Sequence, residues 1–109
     1  IQYLNESCYT GINDHEFHFA YYESNSFYKR HLDQFQGDKG RVFSRVMYLN
    51  EDWKEDDGGR LTLYPLHGPV DVLPMAGRAV FFRSDEMEHE VHAAFSRYRI
   101  SIAGWLKRI

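Results

Sequence analysis

Short segments in which apolar and polar residues alternate, or β-branched and aromatic residues cluster, follow one another along the chain, as in β-strands. Turn-forming residues such as Asp57-Gly58-Gly59 separate them. A helical turn is compatible only with residues 84–90. The pattern predicts eight strands, over residues 16–22, 27–33, 41–49, 60–64, 70–73, 78–83, 88–92 and 97–107.

Eight short strands at these spacings are typical of a jelly roll, also called a double-stranded β-helix, and we predict an all-β fold of this kind. In the last segment, alternation places Arg99 and Ser101 on one face and Ile100 and Ile102 on the other. An apolar outer face needs cover. We therefore expect supporting helices upstream of Ile1, or a partner surface, to pack against it.

Composition narrows the class of protein. With 109 residues, 43% hydrophobic and 17% aromatic, the chain is expected to form one domain over residues 1–109, with residues 1–14 as a lead-in. A net charge of −3 argues against a nucleic-acid partner, and no apolar run approaches the ~20 residues of a membrane span. The single Cys8 cannot form an internal disulfide, and we interpret it as a packing residue. The lack of an internal disulfide favours a reducing compartment, so we expect a cytoplasmic location.

His31-Leu32-Asp33, together with the distant His89, has the form of a 2-His-1-carboxylate metal site for non-haem Fe(II). On a strand, residues i and i+2 project to the same side, so the His31 and Asp33 side chains can converge on one ion. By itself a His-x-Asp pair also arises by chance. His92 is the competing candidate for the second histidine ligand, but on a strand its side chain would face the opposite way from that of His89.

Arg99 is the candidate anion-binding residue. A guanidinium grips a carboxylate through two parallel hydrogen bonds, and an arginine among Ile, Ala and Trp residues is costly to bury unpaired. The alternative is a structural salt bridge with an acidic residue of the chain. Arg97 has the same parity and could take the place of Arg99.

Five motifs between Phe17 and Trp105 stand in the order in which one enzyme family carries them. They are Tyr28-Lys29-Arg30-His31-Leu32-Asp33, Tyr48-Leu49-Asn50-Glu51-Asp52-Trp53, Gly58-Gly59-Arg60-Leu61-Thr62-Leu63-Tyr64-Pro65, Phe81-Phe82-Arg83-Ser84-Asp85 with His89-Glu90-Val91, and Arg99-Ile100-Ser101-Ile102-Ala103-Gly104-Trp105. With them the chain resembles the Fe(II)/2-oxoglutarate-dependent oxygenases of the prolyl 4-hydroxylase family, both those of hypoxia-inducible-factor type and their bacterial relatives.

The resemblance implies a role for each matching residue. His31, Asp33 and His89 correspond to iron ligands, and Arg99 with the Tyr48 hydroxyl corresponds to the pair that holds 2-oxoglutarate. The other implied contacts are Tyr28, Leu61 and Trp105 around the co-substrate, and Tyr21 and Arg41 toward the substrate. For Tyr21, Leu61 and Trp105, ordinary core packing is the alternative.

The resemblance also implies the reaction: hydroxylation of an unactivated C–H bond with Fe(II), 2-oxoglutarate and O₂, and release of succinate and CO₂. A prolyl residue of a protein or peptide is the expected target, and ascorbate is a candidate additional cofactor. Three alternatives stay open: a hydroxylase of a free amino acid or of another side chain, a non-catalytic jelly-roll module that holds a structural metal such as Zn²⁺, and a carbohydrate- or partner-binding β-sandwich. A structural zinc site would need no arginine clamp beside it.

Overall fold

The computed structural model describes residues 14–33, 40–95 and 97–108. Cys8 and nearly all of the predicted lead-in lie outside these ranges, and Asp14 already belongs to the first strand. Within the described residues, one strand overlaps each predicted segment. The strands are β1 (Asp14–Tyr22), β2 (Tyr28–His31), β3 (Arg41–Tyr48), β4 (Leu61–Leu63), β5 (Val70–Val72), β6 (Ala79–Arg83), β7 (His89–Val91) and β8 (Arg99–Lys107).

The short helix lies elsewhere than predicted. Residues 84–86 form a turn, whereas Glu55–Asp57 form a 3₁₀ helix. The Asp57 carboxylate accepts a hydrogen bond from the Lys54 backbone N–H (2.8 Å), which closes this helical turn. The helix ends at Gly58, whose φ of 73° lies in the region that favours glycine. A local side-chain cap, which hydrophobic periodicity does not report, decides this position.

Two four-stranded antiparallel sheets form the domain, with strand orders β1-β8-β3-β6 and β2-β7-β4-β5. The predicted jelly roll is confirmed. The first sheet contributes Arg99 through β8, and the second contributes His31 and His89 through β2 and β7. The space between the sheets is therefore where these residues can meet.

Alternation within each strand fills part of that space with a hydrophobic core. Tyr48, Leu61, Phe82 and Val91 are buried there, each on the face that its strand turns toward the opposite sheet. Burial of one side chain of this size contributes about 1.5–3 kcal/mol. The core occupies the interior only in part, because the same faces also carry polar residues that line a cavity.

The opposite face of the first sheet is apolar and exposed. Phe19, Tyr21 and Phe81 are each more than half exposed, and they share this face with Phe17 and the half-buried Ile102. The sequence predicted such a face from Ile100 and Ile102, and the structure shows that it extends to β1 and to Phe81 of β6, with the exposed Arg45 of β3 between them. The identity of its cover stays a prediction.

Gly104 provides a test of packing on this face. It lies opposite Phe17, whose ring would collide with a Cβ atom at position 104. We expect Gly104→Val to lower the free energy of unfolding by about 1–3 kcal/mol through overpacking. Urea denaturation of the metal-free protein measures this loss. In the Phe17→Ala background the loss should shrink, and an equal loss in both backgrounds would contradict this account.

Candidate functional site

A cavity of about 600 Å³ lies between the two sheets. The side chains that line it on β1 and β8 point away from the apolar outer face, such as Tyr22 opposite Arg99 and Ala20 opposite Ser101. Antiparallel pairing therefore aligns the inner faces of both strands along one wall. The opposite wall includes Leu61, His89 and Val91 from the second sheet.

At one place in this cavity, His31, Asp33 and His89 bring three ligand atoms within 4.8 Å of one another. His31 and His89 are register partners in β2 and β7. Asp33 lies beyond the end of β2, in a bend, so its convergence with His31 comes from this bend and not from the strand geometry that the sequence suggested. Its Oδ1 atom lies 3.3 Å from Nε2 of His31 and 3.2 Å from Nε2 of His89.

The two imidazole rings are oriented in the same way. Nδ1 of His31 contacts the carbonyl oxygen of Lys29 at 2.7 Å, and Nδ1 of His89 contacts that of Met87 at 3.0 Å. A carbonyl oxygen only accepts hydrogen bonds, so each Nδ1 donates and each neutral ring turns its Nε2 lone pair toward Asp33. Three acceptor atoms then converge without a donor between them. This arrangement suits a cation.

The charges at this cluster agree with such a site. Burial alone would raise the pKa of the Asp33 carboxyl group, but its contacts with His31, His89 and Ser44 hold that pKa well below its usual range. The pKa of His31 is raised, because Asp33 and the Lys29 carbonyl outweigh the opposing effect of burial. Asp33 is therefore an anion, which favours a cation at this position.

Arg99 and Tyr48 form a second polar group in the cavity wall. Arg99 is 3% exposed, and its Nε donates to the carbonyl oxygen of Gly59 (2.8 Å) while Nη2 donates to the Tyr48 hydroxyl (3.3 Å). No carboxylate of the described residues forms a salt bridge with it. Burial lowers the pKa of Arg99 and raises that of Tyr48. A buried cation that lacks an anion and borders a cavity suits an anionic ligand.

Two of the sequence motifs hold Arg99 in place. Asn50 accepts a hydrogen bond from the Ile100 backbone N–H (2.7 Å) and donates to the Ile100 and Pro74 carbonyl oxygens. Gly59, which presents its carbonyl oxygen to Arg99, has a φ of 70°, and a Cβ atom there would meet the Trp53 ring at 2.7 Å. Glycine at position 59 thus lets the backbone approach both Trp53 and Arg99.

Arg97 lies apart from the cavity lining. Its guanidinium stacks over the Trp53 ring at 4.5 Å and donates to the backbone carbonyl oxygens of Glu51 and Asp52. Between the two arginines that the sequence left open, the structure thus places Arg99 in the cavity wall.

Trp105, Arg41, Tyr28 and Leu61 line the cavity, as the resemblance implied. The Arg41 guanidinium stacks over the Trp105 ring at 3.8 Å, and Tyr28 lies 4.2 Å from the His31 ring, centroid to centroid. Tyr28 is half exposed whereas Leu61 is buried, so Tyr28 is closer to solvent than Leu61 is. The roles of all four toward a ligand stay predictions.

The expected position of Tyr21 in this lining is wrong. Tyr21 lies on the outer face, 56% exposed, with its ring 4.9 Å from that of Tyr98. Its neighbour Tyr22 lines the cavity instead, and the Arg99 guanidinium lies 5.4 Å from the Tyr22 ring centroid. Alternation along β1 allows just one of two consecutive residues to face inward.

Sequence reasoning also missed Ser44, which lines the cavity and donates a hydrogen bond to Oδ2 of Asp33. The alternation of β3 contained a signal for it, because Ser44, Val46 and Tyr48 share one face.

Within the described residues, no helix has the length and hydropathy needed to cross a membrane.

Comparison with known proteins identifies similar chains. The sequence model of the 2OG-Fe(II) oxygenase superfamily matches residues 17–107. Hypoxia-inducible factor prolyl hydroxylase of Caenorhabditis elegans is 43% identical over 82 residues, which are 72% of this chain and 11% of that protein. Egl nine homolog 1 of Homo sapiens is 40% identical over 81 residues, which are 69% of this chain and 18% of that protein.

Solved structures of prolyl hydroxylases are also similar to this chain. A prolyl-4-hydroxylase from Pseudomonas putida has a TM-score of 0.94 and 44% identity, over 99% of this chain and 60% of its own. A prolyl hydroxylase from Trichoplax adhaerens, in complex with a hypoxia inducible factor oxygen degradation domain peptide fragment, has a TM-score of 0.82 and 33% identity, over 88% of this chain and 45% of its own. The chain thus spans only part of each of these proteins.

Proposed function

Since this chain belongs to the 2OG-Fe(II) oxygenase superfamily, we propose that it is the catalytic region of a prolyl hydroxylase. It would use Fe(II), 2-oxoglutarate and O₂ to hydroxylate a prolyl residue of a protein or peptide, with release of succinate and CO₂. Ascorbate is part of the proposal as an additional cofactor. The substrate class follows from the similar proteins, among them the Trichoplax adhaerens enzyme in complex with a peptide fragment.

The observation that carries this proposal is the presence, in one cavity, of a His-Asp-His cluster and a buried arginine without a carboxylate partner among the described residues. A cation and a dianion such as 2-oxoglutarate complement these two groups. A module with a structural metal would explain His31, Asp33 and His89 but would leave the buried Arg99 without a function.

The residues of the cavity can be assigned to the parts of this chemistry. His31, Asp33 and His89 would hold Fe(II), which together with 2-oxoglutarate and O₂ supplies the oxidation of an unactivated C–H bond. Arg99 and Tyr48 would bind the far carboxylate of 2-oxoglutarate, and Leu61 would pack against its methylene groups.

The wall near solvent would receive the substrate. Tyr28 is half exposed beside His31, and Arg41 stacks on Trp105 at 3.8 Å. Tyr22, which lines the cavity, is the candidate that replaces Tyr21. Aromatic surfaces of this kind contact the apolar ring of a proline favourably.

A spectroscopic titration tests the site. Fe(II) and 2-oxoglutarate are added without oxygen to the full-length protein, and the visible charge-transfer band of the chelate is expected to appear. With O₂, a prolyl peptide should gain one oxygen atom by mass spectrometry while succinate is released in equal amount. His67→Gln, which alters an exposed histidine, is the control and should behave like the parent protein. Absence of the band in folded, metal-loaded protein would favour the structural-metal module.

Iron affinity is expected to fall with decreasing pH, beginning above about 6.5, the usual pKa of histidine, because the pKa of His31 is raised. The reason is that protons compete with the metal for Nε2 of His31, which binds metal only when neutral. Isothermal titration with Mn(II), a redox-stable substitute, between neutral and mildly acidic pH measures the effect. An affinity that is unchanged well below the histidine range would contradict the assignment of this ligand.

A further inference from the structure

The two oxygen atoms of the Asp33 carboxylate have different surroundings. Oδ1 faces Nε2 of both His31 and His89, at 3.3 and 3.2 Å. Oδ2 accepts hydrogen bonds from the Ser44 hydroxyl and from Nε1 of Trp105, the latter at 3.0 Å. The carboxylate is therefore held by one oxygen and offers the other to the histidines.

A second buried hydroxyl group, that of Ser84, contacts the Ser44 hydroxyl group. The Ser44 and Ser84 hydroxyl oxygens are 2.8 Å apart, and these residues are 1% and 0% exposed. Ser44 uses its hydrogen on the Asp33 carboxylate, which can only accept, so the Ser84 hydroxyl must donate to Ser44. The order of donation is Ser84 to Ser44 to Asp33. A chain of this kind polarises each bond and strengthens the last one.

The backbone fixes both serines. Ser44 is paired with Phe82 in the β3–β6 ladder, and the Ser84 backbone N–H donates to the Val42 carbonyl oxygen at 3.0 Å. Ser44 thus lies within a strand, and Ser84 lies in the turn after β6, where its backbone is bonded to β3. Asp33 lies in a bend beyond the end of β2. A side chain on an irregular segment needs such support to keep one rotamer.

We propose that Ser44 and Ser84 are positioning residues of the metal site, which hold Asp33 Oδ2 through this ordered pair of hydroxyl groups and thereby aim Oδ1 at the metal. The proposal rests on the proposed function, because it assumes that His31, Asp33 and His89 bind Fe(II). It adds that the affinity for metal depends on two serines that offer the metal no ligand.

The test is the dissociation constant for Mn(II), measured on the full-length protein by the EPR signal of free Mn(II). We expect Ser44→Ala to bind Mn(II) about 10–100-fold more weakly, as is typical when an outer partner of a metal ligand is lost. Ser44→Thr, which restores a hydroxyl, should recover most of the affinity. The melting temperature of each metal-free variant shows whether it is folded.

The contribution of Ser84 is tested by coupling. Ser84→Ala alone should weaken Mn(II) binding less than Ser44→Ala does, and it should have no further effect in the Ser44→Ala background, because Ser84 acts only through Ser44. The matched control is Thr62→Val, since the Thr62 hydroxyl donates to the Asp71 carboxylate at 2.6 Å outside the cavity lining. This variant should keep the parent affinity.

The outcomes separate this inference from the proposed function. Parent-like Mn(II) affinity in folded Ser44→Ala would overturn the positioning role and leave the metal site intact. Equal effects of Ser84→Ala in both backgrounds would remove Ser84 from the proposal. If the parent protein binds no Mn(II), or if His31→Ala binds it equally well, the proposed function fails and the positioning role fails with it.

Discussion

Replacement of Asp33 by alanine is expected to abolish formation of the Fe(II)–2-oxoglutarate chelate and to reduce hydroxylation to background. Asp33 carries the only negative charge among the three clustered side chains, and its Oδ1 atom lies within 3.3 Å of both Nε2 atoms. Loss of a ligand should weaken metal binding by more than the roughly 100-fold that marks the upper range for outer partners. Mn(II) affinity and the visible band of the chelate measure the loss.

Asp71→Ala is the matched control for this experiment. Asp71 also accepts a hydrogen bond from a hydroxyl group, but it is exposed and lies outside the lining of the cavity. It should leave the Mn(II) affinity and the chelate band unchanged. If Asp33→Ala kept parent-like metal affinity while remaining folded, the His-Asp-His cluster would not be the metal site.

Replacement of Arg99 by lysine is expected to weaken 2-oxoglutarate binding by about 1.5–3 kcal/mol, the contribution of one hydrogen bond to a charged group. This loss corresponds to about 10-fold or more in the dissociation constant. Lysine keeps the charge but lacks the planar fork that forms two parallel hydrogen bonds with a carboxylate. The dissociation constant of 2-oxoglutarate is measured anaerobically with Mn(II)-loaded protein, and Mn(II) affinity alone should stay near that of the parent.

The neighbouring arginine supplies the control. Arg97→Lys alters a guanidinium that stacks on Trp53 apart from the cavity lining, and it should leave 2-oxoglutarate binding unchanged. A large effect of Arg97→Lys together with a small effect of Arg99→Lys would reverse the assignment. Such a result would point to Arg97 as the co-substrate contact.

The strands could be predicted because the alternation of side chains is a local property of the sequence. Each of β1 to β8 overlaps a predicted segment, although β2 is shorter than predicted and ends at His31. The short helix was misplaced, since a local cap, the hydrogen bond from the Lys54 N–H to the Asp57 carboxylate, adds to the backbone bonds of the turn at residues 55–57. Periodicity carries no information about a cap of that kind.

The candidate site was predictable to a lesser degree. His31, Asp33, His89 and Arg99 were found because their types and order match a family, whereas their convergence depends on pairing between distant strands. Ser44 was missed although it contacts Asp33, because the alternation of β3 places it on one face of the strand but does not show what that face contacts in the fold.

Tyr21 and Tyr22 show what the sequence determined about the site and what depended on the tertiary structure. The sequence by itself determined that Phe17, Phe19 and Tyr21 share one face of a strand, since alternation follows from backbone geometry. It did not determine which face points inward, and the aromatic face is the exposed one while the other lines the cavity. That choice was decided only in the tertiary structure, because it depends on the pairing of β1 with β8 and on the position of the second sheet.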